Sequence, residues 1–217
     1  ERGCRHFIVG IGGSATNDGG VGMLQALGYD FLTREGKAIS YGGDGLRELA
    51  SIEDVNVHPK LKECTFKVAC DVTNPLCGEN GSSAIFGPQK GATPEMVQEL
   101  DQLLLHYAEL SKEMNANADR FYPGTGAAGG MGFAFLTYTN AALESGIQIV
   151  LTETKLEELI KTADFVVKAM LYFQLMPMRV NSLFHLSVGV VVQRQVLLKL
   201  EMLLLDVLIH HISVVRS

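Results

Sequence analysis

Glycine-rich segments limit what this chain can fold into more than any other feature. All but Gly189 of the 23 glycines precede residue 168, and many lie in three segments, Gly10–Gly20, Tyr41–Gly45 and Pro123–Gly132. Because glycine has no Cβ, it adopts positive φ and lets the main chain approach a ligand or another element closely. The region before residue 168 is therefore expected to contain tight, ordered loops between its helices and strands.

Composition places the chain among globular proteins and argues against one class of partner. Its 217 residues are 47% hydrophobic and 19% charged, enough for one large domain or two small ones. The formal net charge of -6 argues against a nucleic-acid surface, since a phosphate backbone requires a basic face. A small anionic substrate needs only a local positive site and is compatible with this charge.

The four cysteines show no spacing typical of a zinc site, because no Cys-x-x-Cys pair occurs. They are interpreted as reduced thiols of a cytoplasmic protein. The chain opens on Glu1 without an initiator methionine or a signal peptide, so it is expected to be a fragment of a longer protein.

Strands and helices alternate through residues 1–167, which predicts an α/β fold with a mixed or parallel sheet and flanking helices. The most periodic segment, Pro94 to Met114, predicts an amphipathic helix capped by Thr93. Residues 73–93 are predicted to form a long ordered loop. The remaining predicted helices are 21–27, 133–143 and 154–162, and the predicted strands are 6–11, 28–32, 66–72, 148–151 and 164–167.

Residues 168–217 differ in character from the rest, with one glycine, few charges and long apolar runs. They are treated as a separate apolar tail and predicted to form one or two buried helices. A tail foreign to the fold is the alternative. A membrane span is not predicted, because charged residues such as Arg194 and Lys199 leave no uncharged run of about 18 residues.

The segment Gly10–Gly20 links a predicted strand to a predicted helix, a place where backbone N–H groups bind phosphate or carboxylate. Ser14 and Thr16 add hydroxyl donors, and Asp18 adds a carboxylate for Mg²⁺ or for a hydroxyl proton. The segment lacks the Gly-Lys-Ser/Thr ending of a Walker A loop and the dinucleotide-binding fingerprint. The alternative is a tight strand-to-helix turn with Asp18 as the cap.

A second candidate group follows the strand predicted at 66–72. Asp71 lies at its carboxyl end, where open α/β sheets bind ligands, and Asn74 follows in a position to support a ligand or a metal-bound water. Lys90 could neutralise a phosphate as a point charge. The alternatives are an Asx-Pro turn with a solvated lysine and, for Pro123–Gly132, helix packing in place of ligand approach.

Together these segments resemble the type I glycerate kinases of bacteria. The matching strings are Gly10–Gly20, Ala69–Leu76, Ile85–Ala92 and Gly126–Gly132, in the family's order and spacing. The resemblance covers about residues 1–167 and is specific because four separate strings agree.

The resemblance implies part of a two-domain, cytoplasmic α/β enzyme that uses ATP and Mg²⁺ to phosphorylate D-glycerate, with 2-phosphoglycerate as the expected product. No nucleic-acid or membrane partner is expected, and a homo-oligomer is allowed. Asp18 and Asp71 are the candidate base and metal ligands, and Lys90 is the candidate for stabilising the transferred phosphoryl group. The candidate substrate or phosphate contacts are Gly12, Gly13, Ser14, Thr16, Asn17, Gly19, Asn74, Gly129 and Gly130.

Two departures from the family pattern bear on activity. An N-terminal region with a Pro-Asp-Ser-Tyr-Lys-like motif is absent, and Lys168–Leu171 stands where the family has Thr-Gly-Glu-Gly-Arg-Ile-Asp. The chain alone is therefore expected to be inactive or to be completed by another chain. The alternative function is a non-catalytic anion-binding or interaction domain derived from a kinase.

Overall fold

The computed structural model describes residues 2–162, 169–171 and 188–190. The chain divides into two compact units, Glu1–Thr154 and Lys155–Ser217. Every candidate site residue predicted from the sequence lies in the first unit.

Helices and strands alternate along the first unit. The strands are β1 (His6–Gly10), β2 (Asp30–Leu32), β3 (Ser51–Glu53), β4 (Thr65–Ala69) and β5 (Ala141–Glu144). The helices are α1 (Val21–Ala26), α2 (Ser82–Phe86), α3 (Pro94–Met114), α4 (Ala127–Tyr138) and α5 (Gly146–Glu153), and short 3-10 helices cover Gly43–Glu48, Pro59–Glu63 and Pro88–Lys90. The second unit contains α6 (Leu156–Thr162) and an antiparallel pair, β6 (Ala169–Leu171) and β7 (Val188–Val190).

A parallel sheet with the order β1-β4-β5 carries the first unit. Gly10 pairs with Ala69, and Ala69 pairs with Glu144, so the chain leaves all three strands at one edge. This edge is where parallel α/β sheets present ligand-binding loops. The predicted α/β fold with a parallel sheet and flanking helices is confirmed; a separate antiparallel pair, β2 and β3, gives one further small sheet.

The main core lies between α3, α4 and the β2–β3 pair. Tyr107, Phe31 and Phe133 are completely buried there, and their rings contact one another through Tyr107. The predicted helix at Pro94 to Met114 is confirmed, with the Thr93 hydroxyl accepting a hydrogen bond from the Met96 N–H at 3.3 Å. A smaller cluster that includes Val68 and Phe135 packs α4 against the sheet.

Two elements near residue 145 were predicted wrongly. The segment predicted as a strand at 148–151 lies in helix α5, and the end of the predicted helix at 133–143 forms strand β5. Ala, Leu and Glu in β5 favour a helix, but the segment forms a strand because it pairs with β4. This pairing satisfies backbone groups of β4, the central strand of the sheet. The β-branched residues of α5 favour a strand, but Asp71 accepts the Gly146 N–H and satisfies a donor at the helix start.

The predicted loop at 73–93 is ordered but contains α2 and the 3-10 helix Pro88–Lys90. The strand predicted at 164–167 and most of the tail lie outside the described residues. Within the tail, the described residues of β6 and β7 are strands in place of the predicted helices. Among the described residues, none of the helices is long and apolar enough to cross a bilayer.

The cap of α3 gives a test of the fold. Replacing Thr93 with Ala removes the acceptor for the Met96 N–H and is expected to lower the free energy of unfolding by about 1 kcal/mol. Thr93→Ser keeps a hydroxyl acceptor and is expected to lose less. Urea denaturation measures both variants; equal losses for Ala and Ser would show that the hydroxyl does not stabilise the helix.

Candidate active site

Three segments singled out from the sequence meet at the carboxyl edge of the parallel sheet. The Gly19 N–H donates to the Gly129 carbonyl oxygen at 2.8 Å, joining the first glycine segment to the third. Lys90 Nζ donates to the Thr16 carbonyl oxygen at 2.6 Å and to Ser14 Oγ at 2.9 Å. The structure therefore places residues from three distant parts of the chain around one loop.

Lys90 is the cation of this group. Both of these hydrogen-bond acceptors, Ser14 Oγ and the Thr16 carbonyl, are uncharged oxygens. Burial lowers the pKa of Lys90, while the negative charge of Asp18 raises it in part. Within the described residues no carboxylate contacts this partly buried ammonium directly, so its charge is only partly compensated there and attracts an incoming anion.

The open side of the first glycine segment is formed by Gly12 and Gly13. Both are exposed, and a Cβ placed on either would meet no atom within 4 Å. Gly13 has a φ of +72°, which glycine adopts without strain. Thr16 is exposed and Ser14 is partly exposed beside them, so backbone and hydroxyl donors are accessible from solvent.

Asp18 is buried and holds the start of α1. Its two carboxylate oxygens accept hydrogen bonds from the N–H groups of Gly20 at 3.0 Å and Gly22 at 3.2 Å. The capping alternative for Asp18 is therefore present in the structure. A capping carboxylate of this kind also contributes negative charge next to Lys90.

Asn17 turns its side chain toward α2. Ser82 Oγ donates to Asn17 Oδ1 at 2.8 Å, and Asn17 Nδ2 donates to Ser83 Oγ at 2.8 Å. Both serines are completely buried. The amide that the sequence suggested as a ligand contact is thus engaged at both ends by the protein.

Gly129 and Gly130 form the floor under the first segment. A Cβ on Gly129 would lie 2.1 Å from the Thr16 carbonyl oxygen, and one on Gly130 would lie 2.7 Å from Gly19 Cα. Their φ values of +75° and +95° interrupt the first turn of α4. The third segment thus packs its backbone against the loop backbone of the first glycine segment, whereas the packing alternative placed a helix on a neighbouring strand.

Asp71 lies on the exposed surface of the same edge. Its Oδ1 accepts hydrogen bonds from Ser145 Oγ at 2.8 Å and from the Gly146 N–H at 3.1 Å. Both bonds use Oδ1, and Oδ2 lies beside Gly146, 3.1 Å from the position that a Cβ on that residue would take. Asn74 donates instead to the Asn80 carbonyl at 2.9 Å and holds its own loop.

Comparison with known proteins identifies the family of the chain. Residues 1–170 match the sequence model of the glycerate kinase family. The chain belongs to the glycerate kinase family. Glycerate kinase of Haemophilus influenzae is 52% identical over 167 residues, and glycerate 2-kinase of Escherichia coli K12 is 51% identical over 167 residues. In both cases the match covers 77% of this chain and 44% of the relative.

A solved structure supports the same family. The crystal structure of a Salmonella typhimurium LT2 protein assigned as glycerate kinase 2 superposes with a TM-score of 0.72 at 50% identity. It covers 74% of this chain and 43% of the other chain. The chain therefore spans less than half the length of these glycerate kinase relatives.

Sequence reasoning missed three residues of the site, Ser82, Ser83 and Ser145. The sequence predicts a loop where the serines of α2 lie, and it predicts a helix just before Ser145. A pair of serines in a loop carries no recognisable spacing signal. Only the fold shows that they lie against Asn17 and Asp71.

Replacing Gly129 with Ala tests the packing of the glycine segments. The new Cβ would overlap the Thr16 carbonyl oxygen, so a loss of about 3 kcal/mol or more is expected in urea denaturation. Gly36→Ala is the matched control, because Gly36 has a φ of +73° and open space around it. That control is expected to lose only about 1 kcal/mol from backbone strain. Equal losses would exclude a tight backbone contact at Gly129.

The titration of Lys90 tests its environment. Its pKa is expected to lie below the ordinary value of a lysine side chain, because burial penalises the charged form. Asp18→Asn removes the charge that raises it and is expected to lower it further. The ¹³Cε resonance, assigned by its loss in Lys90→Arg, reports the value by NMR. A rise in Asp18→Asn would contradict the proximity of the two groups.

Proposed function

We propose that this chain takes part in ATP-dependent phosphorylation of D-glycerate and carries the phosphate-binding part of the active site. The observation that carries the proposal is the Lys90 ammonium fixed over the first glycine segment at the carboxyl edge of a parallel sheet. The relatives named glycerate kinase supply the reaction class.

The first glycine segment and Lys90 would bind the anion. Gly12, Gly13 and Ser14 offer backbone and hydroxyl donors on the open side, and Lys90 offers the charge. Phosphoryl transfer depends mainly on positioning and on stabilising charge, and these are the groups suited to both tasks. The glycerate carboxylate is the other anion that the same donors could bind.

Asp71 is the carboxylate better suited to hold Mg²⁺. Magnesium is commonly bound through one or two carboxylates together with substrate phosphates, so a closed protein cage is not needed. Among the residues that the structure describes, no group of three His, Cys, Asp or Glu side chains forms such a cage. Asp71 is exposed, and its Oδ2 accepts no hydrogen bond from the part of the chain that the structure describes, whereas both oxygens of Asp18 accept backbone N–H groups. When bound, the metal would neutralise phosphate charge.

Asp18 would then act on the site through charge and shape. Its carboxylate holds α1 and lies close enough to Lys90 to influence its pKa. If it serves as the base for the glycerate hydroxyl, it must release a backbone N–H or use a second lone pair. Asp71 is the second candidate for that base.

The name of one relative indicates the product. A glycerate 2-kinase at 51% identity favours 2-phosphoglycerate as the product. A cytoplasmic enzyme with a small-molecule substrate, and with a homo-oligomer as one arrangement, completes the proposal. A second candidate function is anion binding without turnover, favoured by the Lys90 ammonium and the exposed Gly12 and Gly13 backbone, which can bind an anion without further groups.

Turnover distinguishes the two candidates. In contrast to the inactivity expected from the two departures in the sequence, the kinase proposal predicts D-glycerate-dependent ADP formation in a coupled assay. Lys90→Met is expected to lower kcat/KM by about 100-fold or more. Lys60→Met, at an exposed lysine of the 3-10 helix Pro59–Glu63, is the control and is expected to leave it unchanged. Equal activity of Lys90→Met and the wild type would remove Lys90 from the site.

Binding is measured separately by thermal shift with ATP and Mg²⁺. A shift in melting temperature without ADP formation would support the anion-binding candidate and contradict the kinase proposal for the isolated chain. If neither a shift nor turnover is observed, both candidate functions are contradicted.

A further inference from the structure

Asn17 and the two serines of α2 form a buried contact that the anion-binding proposal does not use. Ser82 Oγ donates to the Asn17 side-chain oxygen, and the Asn17 side-chain nitrogen donates to Ser83 Oγ, both at 2.8 Å. The serines begin α2 and are completely buried. We name these three residues the Asn17 clamp.

A continuous series of backbone hydrogen bonds leads from the Asn17 clamp to Lys90. The Ser83 carbonyl accepts the Gly87 N–H at 2.9 Å, and the Gly87 carbonyl accepts the Lys90 N–H at 2.9 Å. A Cβ on Gly87 would lie 2.3 Å from the Ser83 carbonyl oxygen, so these turns are tightly packed. Pro88 restricts the backbone between them. The segment from Ser83 to Lys90 therefore behaves as a short rigid arm.

The arm is attached to the first glycine segment at both ends. At its start the serines hold Asn17, and at its end Lys90 Nζ donates to Ser14 Oγ and to the Thr16 carbonyl. Asn17 follows Thr16 directly in the chain, so the two attachments act on adjacent residues. Displacing one end must displace the other, because the arm between them has little freedom.

We propose that the Asn17 clamp is a positioning device, in which Ser82 and Ser83 set the place of the Lys90 ammonium over the phosphate-binding loop. The proposal rests on the proposed function and assigns Asn17 the role of a positioning residue in place of a ligand contact. Ser82 and Ser83 act through Lys90 and need not touch the substrate. An ammonium is a point charge on a flexible stem, so an external support is needed to fix its position.

A double-mutant cycle tests whether the clamp acts through Lys90. Ser83→Ala is expected to lower kcat/KM about tenfold in the wild-type background and to have little further effect in Lys90→Met. A purely structural role for Ser83 would give the same factor in both backgrounds and would overturn the proposal. Ser82→Ala provides a second cycle if Ser83→Ala does not fold.

Ser111→Ala is the matched control for these variants. Ser111 is also completely buried, and its hydroxyl contacts Tyr107 and Tyr138 in the main core. The control removes an equivalent hydroxyl without touching the arm. Its effect on kcat/KM is expected to be equal in the wild-type and Lys90→Met backgrounds.

A measurement without turnover separates this proposal from the kinase proposal. The ¹³Cε resonance of Lys90 is expected to shift, and its pKa to move toward the ordinary lysine value, in Ser83→Ala but not in Ser111→Ala. That result supports the positioning role of the Asn17 clamp even if the chain forms no ADP. An unchanged Lys90 resonance in folded Ser83→Ala overturns the positioning role of the Asn17 clamp, whether or not the chain is active.

Discussion

The close approach of two backbone segments, at Gly19 and Gly129, is the contact on which the candidate site depends. Gly19 lies between the Tyr107 ring on one side and Gly130 on the other, with no room for a side chain. The Gly19 N–H reaches the Gly129 carbonyl only because both positions lack a Cβ. This contact places the first glycine segment at a fixed height above α4, and the positions of Asp18 and Thr16 follow from it.

The electrostatics of the site follow from how its polar groups are compensated. Asp18 is compensated by backbone N–H groups and Asn17 by buried serines, whereas Lys90 is held by neutral oxygens. Compensated groups resist rearrangement, since breaking their hydrogen bonds leaves buried polar atoms without partners. Among the described groups of the site, the Lys90 ammonium is the one whose charge has no charged partner in direct contact. An acidic protein thereby presents a local positive site at Lys90. The overall charge of -6 and an anionic ligand are compatible for this reason.

Sequence reasoning identified segments that the structure brings together at the carboxyl edge of the sheet, but it did not predict all of their contacts. Asp18, Asp71 and Lys90 lie near the carboxyl edge as expected, because strand-to-loop transitions are visible in the alternation of apolar runs and glycines. The contacts of Gly129 and Asn17 could not be predicted from the sequence, since both residues contact neighbours more than 60 residues away in the chain. Local propensity likewise misassigned α5 and β5, because pairing with β4 and capping by Asp71 decide their conformations.

The different environments of the two aspartates restrict how the chemistry can be divided between them. The buried Asp18 carboxylate accepts hydrogen bonds from two backbone N–H groups and would have to give one of them up to contact a ligand. The exposed Asp71 carboxylate accepts both of its hydrogen bonds from the described residues on Oδ1, so a metal ion can approach Oδ2 with little rearrangement. Under the proposed function, Asp18 shapes the loop and Asp71 is the carboxylate available to a ligand. This division makes capping and ligand binding compatible within one glycine-rich edge, because the residue that shapes the loop need not give up its hydrogen bonds.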